Sequence, residues 1–272
     1  MVYRFIALVL ALLPAVPASA QMVPSTCYAL ADRLPQATFA SFEPDRDAAP
    51  LRLAALQRDE VEITYVQHST YLIESAGGVR IATDYAGVTI PGGLPTIVTM
   101  NKAHSSHYTN FPDPGIDYVL RGWNPEGGAA HHALTVDDVY VRNVPTDIRS
   151  FGGAMERDGN SIFVFEIAGL CIGHLGHLHH RLTDEDFAAI GRLDIVMVPV
   201  DGSMTLSQEG MGEIAERLRS SIILPMHRFA GPIQRFVDQL PDFAVEQLGS
   251  RSFTVSMRSL PDRPTVIILQ GV

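Results

Sequence analysis

The sequence is poor in lysine and has no cluster of basic residues. Of its 272 residues, 20 are lysine or arginine, and Lys102 is the single lysine among them. Aspartate and glutamate number 30, so the net charge is −10. Because proteins that bind nucleic acid need clustered positive charge, this pattern argues against a nucleic-acid partner. The sequence also lacks internal repeats and low-complexity tracts.

Cysteine is scarce as well, since Cys27 and Cys171 are the two in the chain. In an oxidising compartment these two residues could form a disulfide. The alternative is two separate thiols, with Cys171 buried in a strand. The sequence leaves both alternatives open.

The N-terminus has the parts of a secretory signal peptide. Arg4 precedes an apolar run over residues 5–13, and Ala18-Ser19-Ala20 provides a cleavage site. The apolar run is too short to span a membrane. We therefore predict a signal peptide over residues 1–20 and a periplasmic or secreted mature protein with no stable membrane span.

The rest of the chain divides into a leader over residues 21–58, expected to pack on the main domain, and a domain over residues 59–272. Within the domain, antiparallel strands come first, and strands then alternate with helices whose N-caps are Thr183 and Ser207. This order predicts an α/β protein in which two sheets pack together with helices on their outer faces. The predicted strands are 61–66, 71–73, 79–82, 96–100, 118–120, 139–142, 162–167, 170–172, 194–200, 222–226, 253–257 and 266–269.

One loop concentrates the histidines. Four of the ten lie within seven positions, at His174, His177, His179 and His180. They follow two strands joined by an Ala168-Gly169 turn, so they leave a strand end and enter a glycine-containing loop. Neutral imidazole is the commonest protein ligand for zinc, and a metal site is therefore predicted. The alternative is a solvated surface loop.

Four motifs, in this order, resemble those of the metallo-β-lactamase-fold hydrolases. They are His68-Ser69-Thr70 with Ile81-Ala82-Thr83-Asp84, Lys102-Ala103-His104-Ser105-Ser106-His107, His174-Leu175-Gly176-His177, and Pro225-Met226-His227. Within that superfamily, the chain is most similar to the branch that includes the ascorbate-phosphate lactonase-like proteins. The resemblance covers roughly residues 60–272. It implies an αββα sandwich with a metal site at one edge of the two sheets.

The motifs also depart from the family pattern of His-x-His-x-Asp-His followed by His-Leu-Gly-Asp. Lys102 stands at the first histidine of the first motif and Ser106 at its aspartate, while His177 stands at the aspartate that bridges two metals. The other histidines of these motifs are kept. The resemblance therefore leaves open whether one or two divalent ions bind.

The predicted metal is zinc, although the motifs do not fix its identity. A catalytic zinc needs about three protein ligands and one open position. The predicted ligands are His104, His107, His174, His177 and His227, and His174 has the alternative role of supporting the loop. His68 is interpreted as a structural histidine, with metal binding as the alternative.

Three further residues are predicted to act in catalysis. Asp84 and Asp201 follow apolar strands and could orient water or act as a general base, with turn capping as the alternative. Lys102 is predicted to be functional, because an ordinary surface cation in this chain would be expected to be arginine. A lysine beside a metal could act as a ligand or base or hold an anionic substrate. The alternative is a chance surface charge.

Together these features predict an exported metal-dependent hydrolase of a small ester, lactone or phosphoester. A bound zinc would activate water and polarise the carbonyl or phosphoryl oxygen. The alternative is a degenerate family member that binds metal or ligand without turnover. The fold does not identify the substrate or the oligomeric state.

Overall fold

Two β-sheets packed face to face form the frame of the protein. The computed structural model describes residues 25–28, 56–150, 152–229 and 231–272. The predicted signal peptide and most of the predicted leader lie outside these residues.

The described chain has fourteen strands and three helices. The strands are β1 (Val61–Gln67), β2 (Thr70–Ser75), β3 (Arg80–Ala82), β4 (Ile97–Met100), β5 (Tyr118–Arg121), β6 (Ala133–Val136), β7 (Val139–Arg149), β8 (Met155–Ile167), β9 (Leu170–His174), β10 (Ile195–Pro199), β11 (Ile222–Met226), β12 (Ala244–Gln247), β13 (Ser252–Val255) and β14 (Thr265–Ile268). The helices are α1 (Asp184–Ile190), α2 (Gln208–Leu218) and α3 (Gln234–Val237).

The strands form one sheet of six and one of eight. The order is β13-β1-β2-β3-β4-β5 in the first and β12-β14-β11-β10-β9-β8-β7-β6 in the second. Strands β3, β4 and β5 run parallel, as do β9, β10, β11 and β14. The predicted α/β sandwich is confirmed.

Local sequence explains the main elements. The hairpin between β8 and β9 turns at Ala168 and Gly169, whose φ angles of 53° and 81° suit a two-residue turn between twisted strands. Thr183 caps α1 by accepting from the amide of Asp186, whose carboxylate reciprocates, and Ser207 caps α2. Both caps are confirmed. The prediction missed β6, β12, α3, the second half of β7 and the first half of β8.

Buried apolar side chains form three layers, one between the two sheets and one on the outer face of each sheet. The inner layer lies between the sheets and includes Ile63, Phe163 and Met197. A second layer covers the outer face of the eight-stranded sheet, where all three helices pack. The third covers the outer face of the other sheet, where loop residues such as Tyr85 and Ile116 pack instead. Within the described residues, therefore, the predicted helices on both outer faces are found on one face.

The segment Ser25–Tyr28 is held on the main domain by a disulfide. Cys27 and Cys171 are bonded, with their Cα atoms 5.8 Å apart, so the disulfide alternative is confirmed. Both side chains are fully buried. The backbone N–H of Thr26 donates to Glu166 Oε2 at 2.8 Å, and Arg142 stacks on the ring of Tyr28. In the described part of the chain, no helix is long and apolar enough to cross a membrane.

Candidate metal centre

The candidate site lies at the edge where strands of both sheets end. In the first sheet, β1, β3 and β4 run in the same direction, and β9, β10 and β11 do so in the second. Polar side chains follow each of these strands, because the carboxyl ends of parallel strands meet at one edge. These residues are His68, Asp84, His104, His107, His174, His177, Asp201 and His227.

Backbone strain is concentrated in the same place. The φ angles of His68, Asp84 and His227 are 48°, 41° and 53°. These values lie in the left-handed region, which residues other than glycine rarely adopt. Such conformations persist where the surrounding structure enforces them, and they are common at functional sites. Here the amide of His227 donates to the carbonyl of His68 at 2.8 Å, which joins the two sheets directly.

Four histidines converge on one point. One ring nitrogen from each of His68, His104, His107 and His227 lies within 4.8 Å of the others. Nε2 of His104 and Nε2 of His227 are 3.3 Å apart. Two nitrogens bound to one tetrahedral zinc are separated by roughly this distance, given metal–nitrogen bonds of about 2.0–2.1 Å.

The opposite ring nitrogens face side-chain oxygens, which hydrogen-bond those of His104 and His107 and lie close to that of His227. His107 Nδ1–H donates to Asp84 Oδ2 at 2.6 Å, His104 Nδ1 lies 2.7 Å from Ser106 Oγ, and His227 Nδ1 lies 3.1 Å from Asp201 Oδ1. This leaves each Nε2 directed at the common point. Metal-binding histidines are typically oriented in this way by an outer hydrogen bond.

His177 adds a fifth imidazole beside this group. Its ring centre lies 5.0, 4.7 and 4.6 Å from those of His104, His107 and His227. Its Nδ1 is 2.7 Å from Nε2 of His179. Among the described residues, the buried Nε2 atoms of His68, His107 and His177 have no hydrogen-bond partner. An unpaired buried nitrogen is costly, and a cation bound at the point of convergence would satisfy those of His68 and His107.

Burial keeps the imidazoles of His68, His104, His177 and His179 in the neutral form that binds metals. Burial, reinforced by neighbouring histidines, lowers the pKa of His68 to about 3 and that of His104 to about 4. The pKa of His177 is lowered further for the same reasons. Burial and Arg149 lower the pKa of His179 to about 4. The donor set therefore fits a divalent ion at neutral pH.

His174 differs from the other predicted ligands. It is fully buried, its Nδ1 accepts from the amide of Gly176 at 3.1 Å, and its Nε2 lies 2.8 Å from the carbonyl oxygen of Ser69. Both ring nitrogens are thus used by backbone groups. Of its two predicted roles, this hydrogen bonding favours support of the loop.

The contacts of Lys102 do not support the predicted catalytic role. Its ammonium forms an ion pair with Glu156, and its side chain is 45% exposed. This pair is its only side-chain hydrogen bond among the described residues. The geometry favours the alternative interpretation of Lys102 as a surface charge.

The carboxylates of the two predicted catalytic aspartates already accept hydrogen bonds from neighbouring side chains and backbone amides. Asp84 accepts from Asn101 at Oδ1 and from His107 at Oδ2. Burial alone would raise the pKa of the Asp84 carboxyl, but His107, His174 and Asn101 together hold it below its usual value. The contact with His227 and the hydrogen bonds from Thr205 and Ser203 likewise lower the pKa of Asp201 despite burial. In this arrangement both carboxylates orient histidines.

Two asparagines that the sequence analysis did not single out hold the loops together. Asn101 accepts from the amide of Ser161 at 2.7 Å, besides donating to Asp84. Asn160 accepts from the amide of His177 at 2.7 Å and donates to the carbonyl of Leu175. No pattern in a single sequence separates them from ordinary polar residues. The position of Asn101 directly after β4 was the one available signal.

A pocket of about 240 Å³ adjoins the histidines. Its lining includes His104, Arg149, Ser150, His177, His179 and Met204. One guanidinium nitrogen of Arg149 donates to the carbonyls of Ser203 and Met204 at 2.8 and 2.9 Å. The pocket therefore has one positive charge, held in place by these two hydrogen bonds, beside a cluster of imidazoles.

The fold and the strand-edge histidine cluster define a protein of the metallo-β-lactamase type. The family profile of the β-lactamase superfamily domain matches residues 62–227, and the chain belongs to this family. This match confirms the superfamily resemblance. The narrower resemblance to the ascorbate-phosphate lactonase-like branch stays a prediction.

Relatives and solved structures agree with this assignment. The chain is 22% identical over 189 residues to a UPF0173 metal-dependent hydrolase from Pyrococcus furiosus, covering 61% of this chain and 84% of the relative. A candidate Zn-dependent hydrolase of the metallo-β-lactamase superfamily from Thermotoga maritima has a similar structure. It shows 27% identity and a TM-score of 0.58, covering 77% of this chain and 98% of the other. A candidate metal-dependent hydrolase from Parabacteroides distasonis, at 15% identity and a TM-score of 0.53, covers 67% and 89% and supports the fold alone.

Proposed function

We propose that this protein is a metal-dependent hydrolase that uses zinc to cleave a small ester, lactone or phosphoester. The observation that carries the proposal is the convergence of four histidine nitrogens, two of them buried and without a partner among the described residues. Relatives described as metal-dependent or Zn-dependent hydrolases support the same chemistry. When bound, a divalent ion would activate water and polarise the substrate oxygen.

The residues of the chain would divide the remaining work. His104, His107 and His227 would hold the ion, with His177 beside them. Asp84 and Asp201 would keep the rings of His107 and His227 in the required tautomer and orientation. Arg149 would attract a substrate that carries negative charge, which favours phosphoesters or carboxylated esters over neutral ones.

We also propose that the protein works in the periplasm or outside the cell. The signal-like residues 1–20 motivate this proposal, and the Cys27–Cys171 disulfide supports it, because disulfides persist mainly in oxidising compartments. Expression of the full chain, followed by fractionation and N-terminal sequencing, tests it. A protein that stays in the cytoplasm with residues 1–20 attached contradicts it.

The experiment on activity has two stages. Zinc content is first measured on purified protein, and the zinc-loaded protein is then assayed on chromogenic esters, lactones and phosphodiesters with and without a chelator. We expect turnover that the chelator abolishes and zinc restores, with anionic substrates preferred. The double variant His104→Ala/His107→Ala should lose both metal and turnover, whereas His131→Ala, which changes an exposed histidine, should keep both.

The second candidate function is metal or ligand binding without turnover. One observation favours it: both aspartates near the histidines are occupied by hydrogen bonds, so neither is free to serve as a general base. Full zinc content with no turnover across the substrate panel would support this candidate over the hydrolase.

A further inference from the structure

We propose that His68 is a metal ligand and that the centre holds one ion in an all-imidazole set of His68, His104, His107 and His227. The inference rests on the proposed metal dependence and goes beyond the ligand set that the family motifs imply. His68 lies outside the His-x-His-x-Asp-His motif and the His-Leu-Gly motif. Lys102 occupies the place of the motif's first histidine, and its ammonium pairs with Glu156.

His68 is placed where it could supply the ligand that is lost because Lys102 replaces the first histidine of the motif. It sits between β1 and β2, where its left-handed backbone is fixed by the His227 amide bound to its carbonyl. Its ring centre lies 4.2 Å from that of His227 and 5.1 Å from that of His107. Its Nε2 is buried and has no partner among the described residues.

The tautomer of His107 strengthens the inference. Because the Asp84 carboxylate accepts only, the Nδ1 of His107 carries the proton, and its buried Nε2 is the nitrogen left to bind a cation. No hydrogen-bond partner among the described residues reaches that nitrogen or the Nε2 of His68. A cation at their common point would satisfy both nitrogens together.

The carboxylates argue for one ion over two. A second metal would need a bridging or additional anionic ligand, and His177 and Ser106 stand where the family pattern has aspartates. Asp84 uses both oxygens on Asn101 and His107. Asp201 accepts from Ser203 and Thr205 while facing His227. A neutral nitrogen donor set favours zinc, copper, nickel or iron over magnesium, calcium or manganese.

The test compares full-length wild type with His68→Ala, His104→Ala and the control His131→Ala. Metal is removed and replaced by zinc or cobalt, and the bound ion is quantified by mass spectrometry after dialysis. Zinc affinity is then measured by competition with a chromogenic chelator. We expect one ion per wild-type chain, and a loss of affinity of at least about 100-fold in His68→Ala and His104→Ala, with none in His131→Ala.

Two readouts keep the inference separate from folding and from the proposed function. Histidine ring 15N signals of wild type should show Nε2 of His68 shifting on zinc addition, which tests ligation even if His68→Ala does not fold. Two ions per chain, an unshifted His68 signal or unchanged affinity in a folded His68→Ala would overturn the inference while leaving metal dependence intact. A wild type that binds no zinc would instead overturn the proposed function and this inference with it.

Discussion

At the scale of single residues, the half-buried histidines His68 and His104 couple stability to pH. The pKa values of His68 and His104 are about 3 and about 4 in the folded protein, whereas an unfolded histidine titrates near 6.5. Between these values the unfolded chain takes up protons that the folded chain cannot, so the free energy of unfolding decreases as the pH falls. For each histidine, the free energy of unfolding can decrease by at most about 1.4 kcal/mol per pH unit. The actual decrease is smaller, because both rings are partly in contact with solvent.

We therefore expect the urea midpoint of the metal-free protein to fall steadily from pH 7 to pH 5. Equilibrium unfolding followed by fluorescence measures this, and the double variant His68→Ala/His104→Ala should show a weaker pH dependence. The same slope in wild type and double variant would mean that other groups cause it.

A second residue-scale prediction concerns Lys102. Because its ammonium pairs with Glu156 at the surface, Lys102→Arg and Lys102→Ala should keep full zinc content and change the free energy of unfolding by less than about 1 kcal/mol. Atomic absorption and urea unfolding measure the two quantities. Loss of zinc in both variants would restore the functional role predicted from its being the only lysine.

At the scale of elements, the 174–177 loop depends on Gly176. Its φ angle is +62°, and a Cβ atom there would collide with the side chains of Asn101 and Asn160. Gly176→Ala should therefore lower the stability by about 1–3 kcal/mol and displace Asn101, which donates to the Asp84 carboxylate behind His107. The melting temperature and the zinc affinity should both decrease, whereas Gly249→Ala, where the added Cβ meets nothing within 4 Å, should leave both unchanged. An unaffected zinc affinity in Gly176→Ala would show that Asn101 does not position Asp84 and His107 for metal binding.

Elements with a strong local signal could be predicted from the sequence. The β8–β9 hairpin, the capped helices α1 and α2, and the fully buried strands β10 and β11 all carry such signals. Strands β6 and β12 are only four residues long and largely exposed, so neither length nor hydrophobic pattern identifies them. Strand β6 forms because it pairs with β7, and β12 forms because it pairs with β14.

The site was partly predictable for a related reason. Histidines at strand ends could be found because parallel strands bring their carboxyl ends together. The sequence indicates metal binding by His68 only as the alternative, because the proposed role depends on a left-handed backbone and on packing between two sheets whose strands are distant in sequence. The pairing of Lys102 with Glu156, 54 residues away, depends in the same way on tertiary contact.

At the scale of the whole molecule, the Cys27–Cys171 disulfide links residues 144 positions apart and holds Ser25–Tyr28 against β9. Arg142 reinforces this contact, since it donates to the carbonyl of Ala189 at the end of α1 and stacks on Tyr28. Because the cross-link closes a long loop, it restricts the unfolded chain strongly and should stabilise the fold by about 2–5 kcal/mol.

The double variant Cys27→Ala/Cys171→Ala should unfold at a lower urea concentration than wild type, and its free energy of unfolding should be lower by about 2–5 kcal/mol. Wild type treated with a reductant under unfolding conditions should behave like the variant, and the variant itself should not respond to reductant. If wild type and variant unfold at the same urea concentration, the disulfide contributes no net stability, and the anchoring of Ser25–Tyr28 rests on its contacts with Glu166, Arg142 and the amide of Arg192.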